Sequence, residues 1–146
     1  MEAVIFMGIQ ASGKSTYYLQ NYFQTHVRIS LDLLRTRYRE NKLLQFCLET
    51  NQPFVIDNTN PKTSDRERYI SLAIEKNFRV KGYYFQSNVT ESLKRNNSRA
   101  RSVPEVAILS CRKHFEFPKP EEGFDRLFYV SMNKKGFVTE DWNNEI

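Results

Sequence analysis

Cysteine, histidine and long apolar runs are all scarce in this sequence. Cys47 and Cys111 are its two cysteines and His26 and His114 its two histidines, in 146 residues. They stand far apart with no CxxC spacing, so neither a zinc site nor a disulfide framework has support, and both thiols read as core residues. No apolar stretch approaches the ~20 residues that cross a bilayer, and no opening segment combines a basic flank, an apolar run and a small-residue cleavage site. The expectation is a soluble, cytoplasmic protein with no membrane partner. Repeats and low-complexity segments are lacking too. The charge is only modestly one-sided: 22 Lys and Arg against 17 Asp and Glu, a net +5, permit an anionic substrate without requiring one.

What is present suits one ordinary domain over 1–146. With 40% hydrophobic and 14% aromatic residues, the chain can bury a core without staples. β-Branched and aromatic runs predict strands at 3–7, 26–30, 53–57, 79–86 and 126–132. Helical patterns fall between them: KSTYYLQNYFQ, then one helix through LDLLRTRYRENKLLQFCLET, then SDRERYISLAIEKN with a cap at Thr63 or Ser64. Alternating strands and helices mean an α/β fold, a parallel sheet covered on both faces. Two more helical stretches, VTESLKRNNSRA and VPEVAILSCRKHFEF, suggest a small lid over roughly 89–117. The tail GFVTEDWNNEI shows little pattern of its own.

The strongest chemical signal is GIQASGKST, Gly8 to Thr16, directly behind the apolar run AVIFM. It matches GxxxxGK(S/T), a loop that cradles phosphates at the start of a helix. Gly8 and Gly13 let the backbone turn its N–H groups inward, with Ala11, Ser12 and Thr16 adding amides to the cradle. Lys14 would bridge the β- and γ-phosphates of ATP, and the Ser15 hydroxyl would be a ligand of Mg²⁺. PFVIDNTN delivers Asp57 to the end of a strand, where open α/β sheets gather their ligands, as a second group for the metal. A plain turn-capping Asp is the competing reading of that residue.

HVRISLDLLRTR brings Asp32 to the same sheet edge, with Arg35 three residues on and on the same side of a helical first turn. A carboxylate there could accept the proton of a substrate hydroxyl, or it could simply be an acid at a helix N-terminus capped by Ser30; spacing alone supports both. Arg95 and Arg99, at i and i+4 in SLKRNNSRARS, could spread planar donors over the transferred phosphate, while Arg101 reads as solvated.

Taken together, GxxxxGKST, ISLDLLR, VIDNTNP with RERYI behind it, and KRNNSRARSVP resemble the kinase domain of the polynucleotide 5′-kinase family, across nearly the whole chain. The resemblance implies a P-loop kinase sheet of five strands in the order 2-3-1-4-5 with an arginine-bearing lid, ATP and Mg²⁺ as cofactors, and the 5′-hydroxyl end of RNA or DNA as acceptor. It makes Asp32 the general base, Arg35 the holder of the adjoining phosphate, and Arg99, assisted by Arg95, the stabiliser of the γ- and β-phosphates. Family members often carry Pro and Gly where this chain has Gln10 and Ala11, and Arg where it has Leu31. The DxDGT-type phosphatase module that often accompanies the kinase is absent from these residues. Tyr38 and Phe85 could stack a terminal base, with core packing as the other use of each. Two further classes share the scaffold: a small-molecule or toxin-like kinase, and a nucleotide-dependent switch, which would need neither Asp32 nor Arg35 at the cleft.

Overall fold

The computed structural model describes residues 1–98 and 103–143. Its elements are β1 (Glu2–Met7), α1 (Lys14–Asn21), β2 (Val27–Ile29), α2 (Leu31–Leu34), α3 (Arg37–Thr50), β3 (Phe54–Ile56), α4 (Thr63–Glu75), β4 (Arg79–Phe85), α5 (Val89–Asn97), α6 (Glu105–Lys113), β5 (Arg126–Asn133) and β6 (Gly136–Asp141). The sheet order is β2-β3-β1-β4-β5-β6, so the expected 2-3-1-4-5 arrangement is present with one strand added. The first five strands are mutually parallel and β6 is antiparallel to β5.

β1 is central and buried on both faces, and its side chains alternate between two cores. Ala3, Ile5 and Met7 join Leu44, Cys47, Tyr69, Ile70 and Ala73 of α3 and α4. Val4 and Phe6 join Tyr17 and Tyr18 of α1 with Tyr83 and Phe85 of β4. A period-2 strand with apolar residues at every position can satisfy both sides only between two helical layers. Phe85, 1% exposed, therefore belongs to the core and is not a stacking platform. Cys47 is also core, and burial pushes its thiol up to about 11.

Three local expectations change. The helix expected over 31–50 is broken: Arg35 adopts φ 75°, and the Thr36 hydroxyl accepts from Arg39 N at 3.2 Å to start a new helix. Hydrophobic periodicity does not reveal the break: Leu33, Leu34 and Tyr38 keep a broadly helical spacing in the sequence, yet Leu33 and Tyr38 stand exposed while Leu34 packs against the core. α4 begins at Thr63 itself, with Lys62 in the cap position and its N–H donating to the Asp65 carboxylate at 3.1 Å. The tail forms β6. Its strand signal is weak because most of it is exposed, and what holds it is local: Lys135 N donates to Asn133 Oδ1 at 2.8 Å, Gly136 takes φ 121°, and Phe137 meets the Tyr17 ring at 5.2 Å.

Arg66 on α4 is wholly buried. Its guanidinium forks onto both oxygens of Glu122, at 2.8 and 3.1 Å, and donates to the carbonyls of Asn60 and Glu116. Among the described residues, no helix is long and apolar enough to cross a membrane. Arg66→Ala should lower unfolding free energy by about 3–5 kcal/mol, because Glu122 loses its buried cationic partner and two carbonyls lose a donor; urea denaturation followed by circular dichroism measures it.

Candidate active site

The loop after β1 is built to face its backbone inward. Gly13 takes φ 99°, and a Cβ there would lie 3.0 Å from the Phe137 ring. Ala11 takes φ 60° in the same loop, a left-handed geometry that a non-glycine residue adopts at a cost. The position filled by Gly in related loops thus uses more than its amide. Lys14 folds onto the loop itself, donating to the carbonyls of Gly8 at 3.0 Å and Ile9 at 2.8 Å and to Ser12 Oγ at 3.4 Å. Gly8 N in turn donates to Thr59 O at 3.0 Å, fastening the loop to the segment after β3.

That segment is the organiser of the site. Asn60 Nδ2 donates to Phe6 O at 2.7 Å, and Asn58 Oδ1 accepts from Leu31 N at 2.9 Å, so Asn58, not the Ser30 hydroxyl, caps α2. Asn58 is itself held by Glu40 Oε2 at 3.0 Å. Glu40, wholly buried, also accepts from Tyr69 OH at 2.9 Å and Arg37 at 2.8 Å. Burial, helped by the neighbouring Glu40 carboxylate, pushes the Tyr69 phenol above its ordinary value.

Ser15, Asp57 and Arg28 close a triangle. Ser15 Oγ donates to Asp57 Oδ2 at 2.9 Å, Arg28 Nε donates to the same oxygen at 2.8 Å, and Arg28 NH2 donates to Ser15 Oγ at 3.0 Å. The expected metal pair is therefore side by side and already serves a cation. Two oxygens, with no cluster of three or more His, Cys, Asp or Glu among the described residues, suit Mg²⁺, which draws its other oxygens from phosphates and water. Arg28 was missed by sequence reasoning. The available signal was its parity in β2: two residues before Ser30, it projects to the loop's side of the sheet.

A cleft of about 510 Å³ joins these groups; Lys14, Ser15, Thr16, Asp57, Arg28, Arg95 and Asp32 all line it. Asp32 is exposed there, on α2. Arg35 is brought near in sequence but not into the lining: α2 ends at Leu34, and Arg35 sits in its C-cap. The pairing expected from a continuous helix is replaced by a turn, and Leu31 lines the cleft instead. Arg95 Nε donates to Ala11 O at 2.7 Å, tying α5 to the loop. Arg99 and Arg101 lie outside the described residues. Asn96 makes two bonds to Val103, 2.7 and 2.8 Å, joining the end of α5 to the approach of α6. Cys111 of α6 reaches the same region: burial raises its thiol, while the Lys14 charge and a bond to Thr59 pull the other way.

A family model described as an AAA domain matches residues 35–118, more than half of the chain. The chain belongs to the AAA domain family. It is similar to the bifunctional polynucleotide phosphatase/kinase of Schizosaccharomyces pombe, 31% identical over 97% of this chain and 36% of that protein. It is also similar to a putative bifunctional polynucleotide phosphatase/kinase of Acanthamoeba polyphaga mimivirus, 30% identical over 90% of this chain and 33% of that one. This AAA domain chain thus spans about a third of the length of both curated relatives. Among solved structures it resembles a gluconokinase from Sinorhizobium meliloti, with a TM-score of 0.62 and 17% identity over 89% of this chain and 82% of that one. The fold is that of P-loop kinases.

Arg28→Gln leaves the buried Asp57 carboxylate without a bonded cation. It should cost about 1–3 kcal/mol of stability in metal-free buffer, and millimolar Mg²⁺ should raise the melting temperature of the variant more than that of the wild type. Ala11→Gly should stabilise the protein by about 1 kcal/mol by relieving the left-handed loop residue, as read by thermal melting.

Proposed function

We propose that this protein is an Mg²⁺-dependent ATP kinase that phosphorylates the 5′-hydroxyl end of RNA or DNA. The observation that carries the reading is Asp32 in the same cleft as Lys14, Ser15 and Asp57. A carboxylate facing the phosphate loop is what transfer to a hydroxyl needs and what a switch does not. The likeness to polynucleotide phosphatase/kinases adds the acceptor class.

Lys14 exchanges the loop carbonyls of Gly8 and Ile9 for the β- and γ-phosphate oxygens. Mg²⁺ bound with the nucleotide would rest on Ser15 and Asp57 and supply charge neutralisation at those phosphates. Asp32 accepts the proton of the 5′-hydroxyl as its oxygen bonds to the γ-phosphorus. The bond from that phosphorus to the β–γ bridging oxygen breaks, and ADP leaves with the electron pair. Arg95, with Arg99 beside it in sequence, donates to the phosphoryl oxygens from a lid over 89–117. Arg35, the residue that follows α2, would meet the phosphate that follows the terminal nucleoside, which selects a nucleic acid end without reading its sequence. A smaller alcohol is the second reading, favoured by Leu31 lining the cleft where a cation would meet an acceptor phosphate.

Labelled ATP offered with 5′-OH RNA, 5′-OH DNA and a panel of small alcohols separates these. Transfer to oligonucleotide ends is expected, falling about 10²–10⁴-fold in Asp32→Asn with nucleotide binding retained. Labelling of a small alcohol and of no oligonucleotide would overturn the nucleic acid reading.

A further inference from the structure

The start of α3 is exposed and cationic to a degree that the cleft does not use. Between residues 35 and 42 the chain carries Arg35, Arg37, Arg39 and Lys42 against one acid, Glu40. Glu40 is wholly buried, and its oxygens are taken by Arg37, Tyr69 and Asn58. The stretch therefore shows water positive charge alone, over about 10 Å of helix axis. The positive end of a 14-residue helix adds to the same potential.

Tyr38 stands among these cations, 71% exposed, with Lys42 Nζ 5.7 Å from its ring centroid. A tyrosine so exposed packs on no core, and the cation over its face gives its ring a fixed neighbour without covering it. Arg39 donates to Leu34 O at 3.4 Å, linking this surface to the end of α2, the helix that carries Asp32 into the cleft. The basic stretch follows α2 directly in the chain.

We propose that Tyr38, Arg39 and Lys42 form a track for the single strand that trails the 5′-hydroxyl end, with the cations on successive phosphates and the Tyr38 ring stacking one base. Charge complementarity selects a polyanion. The exposed ring selects a single strand, because a duplex keeps its base faces covered. The track rests on the acceptor reading above, and it adds a prediction that reading lacks: acceptor recognition extends beyond the terminal nucleotide.

The test is fluorescence anisotropy of a labelled, 5′-phosphorylated, unreactive single strand of about 12 nucleotides, long enough for one binding site. Tyr38→Ala should weaken binding roughly tenfold, the size of one lost base stack. Arg39→Gln with Lys42→Gln should lower the slope of log affinity against log salt by about 1.4, the loss of two single-strand phosphate contacts. Lys76→Gln with Lys134→Gln removes the same charge elsewhere and should leave the slope alone. Unchanged binding in the track variants, or an equal loss in the control pair, would overturn the track. In kinase assays the gain in kcat/KM from a nucleoside 3′-monophosphate to the long strand should shrink in the track variants. Phosphorylation that grows with length equally in all proteins sinks the track and keeps the acceptor reading; no phosphorylation of any nucleic acid by the wild type sinks the acceptor reading itself, whatever the anisotropy gives.

Discussion

A guanidinium sealed from water must be ringed by acceptors, and Arg66 is so ringed. Its partners fix the turn after β3 from behind: the Asn60 carbonyl, the Glu116 carbonyl and both oxygens of Glu122 can satisfy it only in one arrangement of that turn. From the front of the same turn, Thr59 holds the phosphate loop, Asn60 holds the end of β1, Asn58 caps the helix bearing Asp32, and Asp57 faces Ser15. Both halves of the cleft are thus referred to four consecutive residues, Asp57 to Asn60, and those four to one buried cation.

Much of this was legible. The five parallel strands follow from apolar runs that only a doubly covered sheet can bury, their order came from the family resemblance alone, and the phosphate loop is a local motif whose glycines are required by its own backbone. What stayed hidden was relational. Arg28 carries no motif; its role exists only because β2 lies beside β3 and turns that side chain toward Asp57. Asn58 reads as a turn residue until α2 is found above it. Glu40 looks like a surface acid on a helix, and its burial depends on Tyr69 and Asn58 arriving from other elements. The break at Arg35 is invisible to hydrophobic periodicity because Leu33, Leu34 and Tyr38 keep the spacing of an apolar face in the sequence while Leu33 and Tyr38 stand exposed in the structure. β6 is largely exposed, so its sequence carries almost no burial pattern to read.

The phosphate loop is also internally satisfied. Lys14 is spent on loop carbonyls and Arg28 on the Ser15–Asp57 pair, so an anion or cation bound there would replace protein partners and not fill bare charges. Such an exchange would make affinity a difference between two well-bonded states.

Gly13 shows how little freedom remains there. Two unrelated constraints meet at this residue: a backbone angle of φ 99°, and the Phe137 ring and Met132 methyl that a Cβ would meet at 3.0 and 3.1 Å. In genetic terms they forbid simple suppression. Trimming Phe137 would open the space yet leave the dihedral, and loosening the loop would relax the dihedral yet leave the ring. A lesion at this glycine has no single second-site cure, which places the late hairpin β5–β6 under the same selective constraint as the motif at the chain's start.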